Sequence, residues 1–287
     1  MEQNDVVVEA FGATVGVRFD GSVPATAVAE FRRTWARCLI AENRRSDELP
    51  QRWVHAALAA DPFYDRNAKL VSAASEHELH ELLTSEITRT GISLRAGGPL
   101  LFHAAAAEIS PGCVHGFVAA SGTGKTTLAR AIGSAFGYVT DETLVVDPAD
   151  LSVEPYPKPL CVIVDQRAAR APGSGGADVP ARTTDSGLRP KDVIGAEDLG
   201  LRHLTGAPLR LTGLHFLHRA DGHGVEFESI STVEAMMRLA AQTSALSSYK
   251  HPLSTLRTVI DSCPVIDIAR YGEADELVAR LGELYAG

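Results

Sequence analysis

The chain has 287 residues, 45% of them hydrophobic and 22% charged, with a formal net charge of −9. That length and composition suit one large α/β domain or two small ones. The acidity argues against general nucleic-acid binding, which needs a basic face, so any site for a phosphorylated ligand must be a local positive spot.

No run of about 18 apolar residues occurs, so no membrane span is expected. The opening MEQNDVVVEAF lacks the basic start and long apolar core of a signal peptide. Cys38, Cys113, Cys161 and Cys263 are isolated, with no CxxC pair. This fits reduced thiols in the cytoplasm rather than a zinc site or a disulfide framework. The ten histidines are scattered; His215 and His218 stand three apart with no Cys or acid at metal-ligand spacing.

In chain order, residues 6–19 alternate loosely and are valine-rich, which predicts a two-stranded hairpin turning near Gly12. Over 25–41, Val28, Phe31, Trp35, Leu39 and Ile40 fall at helical spacing. The stretch 53–60 reads equally as strand or helix. Ser75 and Glu78 form a capping box ahead of Leu79, Leu82, Leu83 and Ile87 on one helical face. Gly97, Gly98 and Pro99 then break the chain. A boundary there divides a small N-terminal α/β unit, 1–96, from a nucleotide domain, 97–287.

After the break, LLFHAAAAEI reads as a strand, and CVHGFVAA as a second, hairpinned to it through Ser110, Pro111 and Gly112. A helix follows residue 124, with Leu128, Ala131, Ile132, Ala135 and Phe136 inward and Gly137 as its left-handed terminator. YVTDETLVVD is the next strand. Residues 171–187 are rich in Gly, Ser, Pro and Ala and read as a mobile loop. PLRLTGLHFLHR and VEFESI read as paired strands. Ser231 and Glu234 cap a helix bearing Ala235, Met236, Leu239 and Ala240, and a last helix turns Leu277, Val278, Leu281, Leu284 and Tyr285 inward.

The segment that carries chemistry lies between the CVHGFVAA strand and the helix after it: Ala119-Ala120-Ser121-Gly122-Thr123-Gly124-Lys125-Thr126-Thr127. Glycines at 122 and 124 remove the Cβ atoms that would keep phosphates away from the backbone. Successive N–H groups, from Ser121 through Thr127, and the helix N-terminus then face the anion. Lys125 supplies a full charge to the β/γ oxygens, and the Thr126 hydroxyl suits a magnesium ion. Ala119 stands where the strict pattern has glycine.

Asp141 and Glu142 lie beyond that helix, in the next strand. Phosphoryl transfer uses one acid to orient or deprotonate the accepting hydroxyl and another to hold the metal. Neighbours on a strand face opposite ways, so both acids reach one site only if the strand ends or bulges there. His103, in LFHAAAA, is a third candidate, either facing the phosphates or satisfied in the core. His115 is assigned to packing.

His103, SGTGKTT and the Asp141-Glu142 pair together resemble the HPr kinase family, which shares its nucleotide fold with the ATP-dependent phosphoenolpyruvate carboxykinases. PYPKPL at 155–160, the helix at 232–246, HPLSTLRTVI and CPVIDIARYG with the helix after it are similar to smaller HPr-kinase-like proteins, among them lasso peptide kinases. The resemblance implies a P-loop domain with a mixed sheet, ATP and Mg2+ as cofactors, and a serine or threonine hydroxyl of a small protein or peptide as acceptor. It implies that Lys125 binds phosphates, Thr126 the magnesium, and Asp141 activates the hydroxyl. Glu142 supports Asp141 or the metal, and His103 lines the phosphate site. It also implies an assembly of several copies, as HPr kinases form hexamers. The family carries Asp where this chain has Glu142, and its downstream glycine-rich signature is not recognisable in GLRPKDVIGAEDLGL. A small-molecule kinase and a nucleotide-dependent regulatory module with weak ATPase activity stay open beside the protein or peptide kinase.

Overall fold

The computed structural model describes residues 4–40, 50–119, 125–163, 191–220, 222 and 224–285. The chain is a mixed α/β protein whose sheets combine parallel and antiparallel pairs. No described helix is long and apolar enough to cross a membrane. The loop expected at 171–187 lies outside the described residues.

The first sheet is built from β1 (Asp5–Ala10), β2 (Ala13–Phe19), β3 (Arg52–Leu58), β4 (Tyr64–Asp65) and β5 (Leu70–Ala73), in the order β1-β2-β3-β5-β4. The expected hairpin is present, and Phe11 and Gly12 both take positive φ, +61° and +72°, as a two-residue turn between twisted strands requires. A phenylalanine in that region is strained. Here its ring is fully buried and packs 4.2 Å from that of Tyr156, centroid to centroid. The ambiguous stretch 53–60 is strand β3, paired in parallel with β2 and β5.

Two helices serve this sheet. α1 (Ala25–Thr34) is shorter than the helical spacing predicts. Leu39 instead bridges to Val8, and the Ile40 N–H donates to the Val7 carbonyl, so the sheet edge takes over where the helix stops. α2 (Glu76–Arg95) starts as expected, with the Glu78 N–H donating to Ser75 Oγ at 3.3 Å. The Glu78 carboxylate reaches back to the Ala74 N–H at 3.1 Å. The buried core of this unit also takes in Leu101, Val145 and Tyr156 from beyond residue 97.

The strand expected over 100–109 is two strands, β6 (Leu100–Phe102) and β7 (Ala104–Ser110), with His103 at the break. The hairpin from β7 to β8 (Cys113–Val118) forms as expected around Gly112, at φ +77°. α3 (Lys125–Ala135) buries Leu128, Ala129, Ile132 and Gly133, while Ala131 and Ala135 are only half buried. Gly137 is not a left-handed terminator. It opens β9 (Gly137–Thr140), where a Cβ would lie 2.9 Å from the Glu108 carboxylate. The strand predicted through 147 also breaks, at Asp141-Glu142-Thr143, and resumes as β10 (Leu144–Val146).

These two breaks face each other. β6 pairs with β10, whose other neighbour is β11 (Val153–Glu154), in a three-stranded sheet. β7 pairs with β9 in a different, six-stranded sheet. Both strands therefore change sheets at the same level, which brings His103 opposite the acid pair. β12 (Leu160–Ile163) and β13 (Lys191–Ile194) pair antiparallel, and β13 packs beside α2.

The six-stranded sheet is completed by β14 (Arg210–Arg219), β15 (Glu226–Ser229) and β16 (Val265–Tyr271), in the order β15-β16-β14-β8-β7-β9. β8, β14 and β16 are mutually parallel. β14 and β15 do not pair with each other, contrary to the sequence expectation, because β16 inserts between them. One face is covered by α4 (Thr232–Ala241) and α5 (Pro252–Ser262), the other by α3 and α6 (Ala274–Tyr285). The Ser231 cap of α4 is made, with the Glu234 N–H on its Oγ. On α6, Leu277 and Leu281 are buried but Leu284 is 43% exposed, so the inward stripe is narrower than expected.

Candidate functional site

β8 is a central parallel strand, and its C-terminal end leads to α3. Ligands of such sheets bind at the carboxyl ends of the strands. A cavity of about 560 Å³ opens there. Six of the residues singled out in the sequence line it: His103, Lys125, Thr126, Thr127, Asp141 and Glu142. Ser121, Gly122, Thr123 and Gly124 lie outside the described residues.

Lys125 opens α3. Its ammonium donates to the Ala119 carbonyl at 2.6 Å. Burial lowers its pKa, and the nearby Glu142 carboxylate opposes the shift. Thr126 and Thr127 follow on the first turn, and Arg130 lines the cavity about a turn further on.

The acid pair sits where the strand ends, which lets adjacent residues serve one cavity. The Thr140 hydroxyl accepts the N–H groups of Glu142 and Thr143, each at 3.3 Å, and so holds the turn that replaces strand geometry. Asp141 is buried, and its Oδ1 accepts the Tyr138 hydroxyl at 3.2 Å.

Between the two acids lies a residue the sequence did not single out for chemistry. Lys158 Nζ stands 2.9 Å from Asp141 Oδ1 and 3.1 Å from Glu142 Oε2, with its side chain 1% exposed. Burial works against its charge, but Asp141 and Glu142 outweigh that and hold its pKa well above the usual lysine value. In return Lys158 lowers the pKa of Glu142. Lys158 is flanked by Pro157 and Pro159, and a residue before proline is confined to extended backbone. The Tyr138 hydroxyl also lies 3.2 Å from the Lys158 carbonyl, and the Tyr156 N–H donates to Val139, so the segment runs along β9. A lysine between prolines was visible in PYPKPL; its burial against two acids was not.

His103 is half buried. Its backbone N–H donates to the Gln242 carbonyl at 2.6 Å, and its ring N–H donates to the Glu142 backbone carbonyl. Burial and then Lys125 lower its pKa, so it is neutral near pH 7. The far wall comes from α2, through Glu81, Thr84 and Ser85, and from the β12–β13 pair, through Cys161, Val162 and Lys191. These wall residues were not foreseen, because nothing local marks a helix of one unit as the wall of a cavity on another.

Lys125, Arg130, Lys158 and Lys191 set four positive charges against Glu81, Asp141 and Glu142. In a chain of net charge −9 this is the local positive spot an anionic ligand requires. The Thr126 hydroxyl and the acid carboxylates offer the hard oxygen donors that suit magnesium. Among the described residues, no group of three or more His, Cys, Asp or Glu is placed to hold a metal by itself. Magnesium carried on a nucleotide needs only one or two protein oxygens.

No family model matches the chain, and no curated protein matches it.

Proposed function

We propose that the chain is an ATP-dependent kinase with a P-loop domain of HPr kinase type, transferring the γ-phosphoryl group to a serine or threonine hydroxyl of a small protein or peptide. The observation that carries this reading is the meeting of Lys125, Thr126 and the Asp141-Glu142 pair around one cavity at the end of β8. Its volume, about 560 Å³, falls in the range of ligand sites.

Lys125 would neutralise the β/γ oxygens, while Thr126 and Glu142 would hold the magnesium. When bound, that ion supplies charge stabilisation on the transferring phosphoryl group. Asp141, oriented by Tyr138 and Lys158, accepts the proton of the attacking hydroxyl as the new O–P bond forms and ADP leaves. Neutral His103 would line the phosphate site without adding charge.

The test has two parts. Mg·ATP should raise the melting temperature of the protein, and Lys125→Ala should weaken nucleotide binding by roughly tenfold or more, the loss of a charge-assisted contact. Radiolabel from γ-labelled ATP should then pass to serine- or threonine-bearing peptides in a panel that also holds hydroxylated metabolites. Transfer to metabolites alone would make it a small-molecule kinase. Nucleotide binding with no transfer to any acceptor would leave a regulatory module, and no thermal response to nucleotide would end the proposal.

A further inference from the structure

The ammonium of Lys158 is surrounded by oxygen in the way a bound cation is. Asp141 Oδ1 lies at 2.9 Å, Glu142 Oε2 at 3.1 Å and the Pro159 carbonyl at 3.2 Å. Two adjacent carboxylates beside a phosphate site are otherwise a natural place for a divalent ion. Phosphoryl-transfer sites that use two metals hold them about 3.5–4 Å apart, bridged by such acids. Here a charge from the chain itself occupies that position. It is fixed by the prolines on either side and by burial, with the Lys158 side chain 1% exposed.

We infer that Lys158 acts as a built-in cation of the acid pair, so that the nucleotide complex takes one divalent metal where an open pair of carboxylates would take two. This rests on the kinase reading. Lys158 is a positioning residue in this scheme. It occupies Oδ1 of Asp141 and Oε2 of Glu142, which directs the other oxygen of Asp141 to the acceptor hydroxyl and that of Glu142 to the single magnesium. The two carboxylates carry −2 and the ammonium returns +1, so the pair offers a second divalent ion half the charge that an open pair would, with one oxygen of each acid already taken.

The experiment counts metal directly. Manganese(II) is titrated into the full chain with a saturating non-hydrolysable ATP analogue, and free manganese is read by electron paramagnetic resonance. The wild type should bind one ion per chain, Lys158→Arg should also bind one, and Lys158→Met should bind two. In the transfer assay, Lys158→Met should lower kcat far more than it raises the KM for Mg·ATP, and Lys158→Arg should restore part of kcat. Two ions in the wild type would overturn the inference, and so would one ion in a folded Lys158→Met protein. Should Lys158→Met fail to fold, the wild-type count alone still decides. Absence of analogue binding by the wild type would instead remove the kinase reading on which the inference stands.

Discussion

Two of the polar clusters buried among the described residues make opposite use of similar groups. In one, Lys158 joins Asp141 and Glu142 at the floor of a cavity. In the other, His115 Nδ1 lies 2.9 Å from His215 Nε2, and His215 Nδ1 lies 2.7 Å from Asp267 Oδ1. Each of the three parallel strands β8, β14 and β16 contributes one residue to this chain. Gly213 makes room for it, since a Cβ there would lie 2.7 Å from the His115 ring. The ring of Tyr285 closes over His115 at 4.6 Å, and Phe117 and Phe227 flank His215. An acid–histidine–histidine chain thus has the parts of a proton relay but is sealed by aromatic rings. The lysine–acid cluster has as many titratable groups but opens on a ligand-sized space. Access, rather than residue type, separates a candidate site from a structural network.

The sharpest way to break that contrast is at the two acids. Asp141→Asn should cut phosphoryl transfer by about 10²–10⁴-fold, the usual worth of a positioned general base, with nucleotide binding near normal. Single-turnover transfer beside calorimetry checks this, and transfer at the wild-type rate would remove Asp141 from the role of base. Asp267→Ala should do the reverse. Losing a charged hydrogen-bond partner should cost about 2–3 kcal/mol of stability in urea unfolding, with the transfer rate per folded molecule unchanged.

The pH dependence of stability gives the next effect. Burial, and then His215, hold the pKa of His115 down at about 3, against an ordinary 6.5. The unfolded chain therefore takes up a proton below pH 6.5 that the folded chain refuses. Stability is untouched above pH 6.5 and falls by about 1.4 kcal/mol per pH unit as pH drops from there toward 3. His115→Phe should flatten that part of the urea-midpoint profile, and a profile identical to wild type would show that another group governs it. Lys191→Gln should be milder. This half-buried lysine on the cavity wall should change nucleotide affinity only about two- to fivefold, more at low salt than at high, as a partly screened charge does.

Much of the local structure was legible from the sequence. The β1–β2 and β7–β8 hairpins, the α2 and α4 caps and the start of α3 at Lys125 are where turn and cap chemistry put them. Errors came where a distant partner overrode local pattern. β16 is nearly fifty residues beyond β14 in the chain, yet it separates β14 from β15. Gly137 follows a helix but is taken up by β9 rather than left as a turn.

By itself the sequence determined the glycine–lysine motif, its place between a strand and a helix, and the identity of His103, Asp141 and Glu142 as candidates. Those depend on short-range stereochemistry: glycine without Cβ, hydroxyls that cap helices, carboxylates beside a lysine loop. Only the tertiary structure decided that two strands change sheets at the same level, that this ends β9 at the acid pair, and that Lys158 is buried between the two carboxylates. Sheet exchange depends on hydrogen bonds between segments some forty residues apart, and the burial of a charge depends on which partners fold around it, neither of which local pattern encodes.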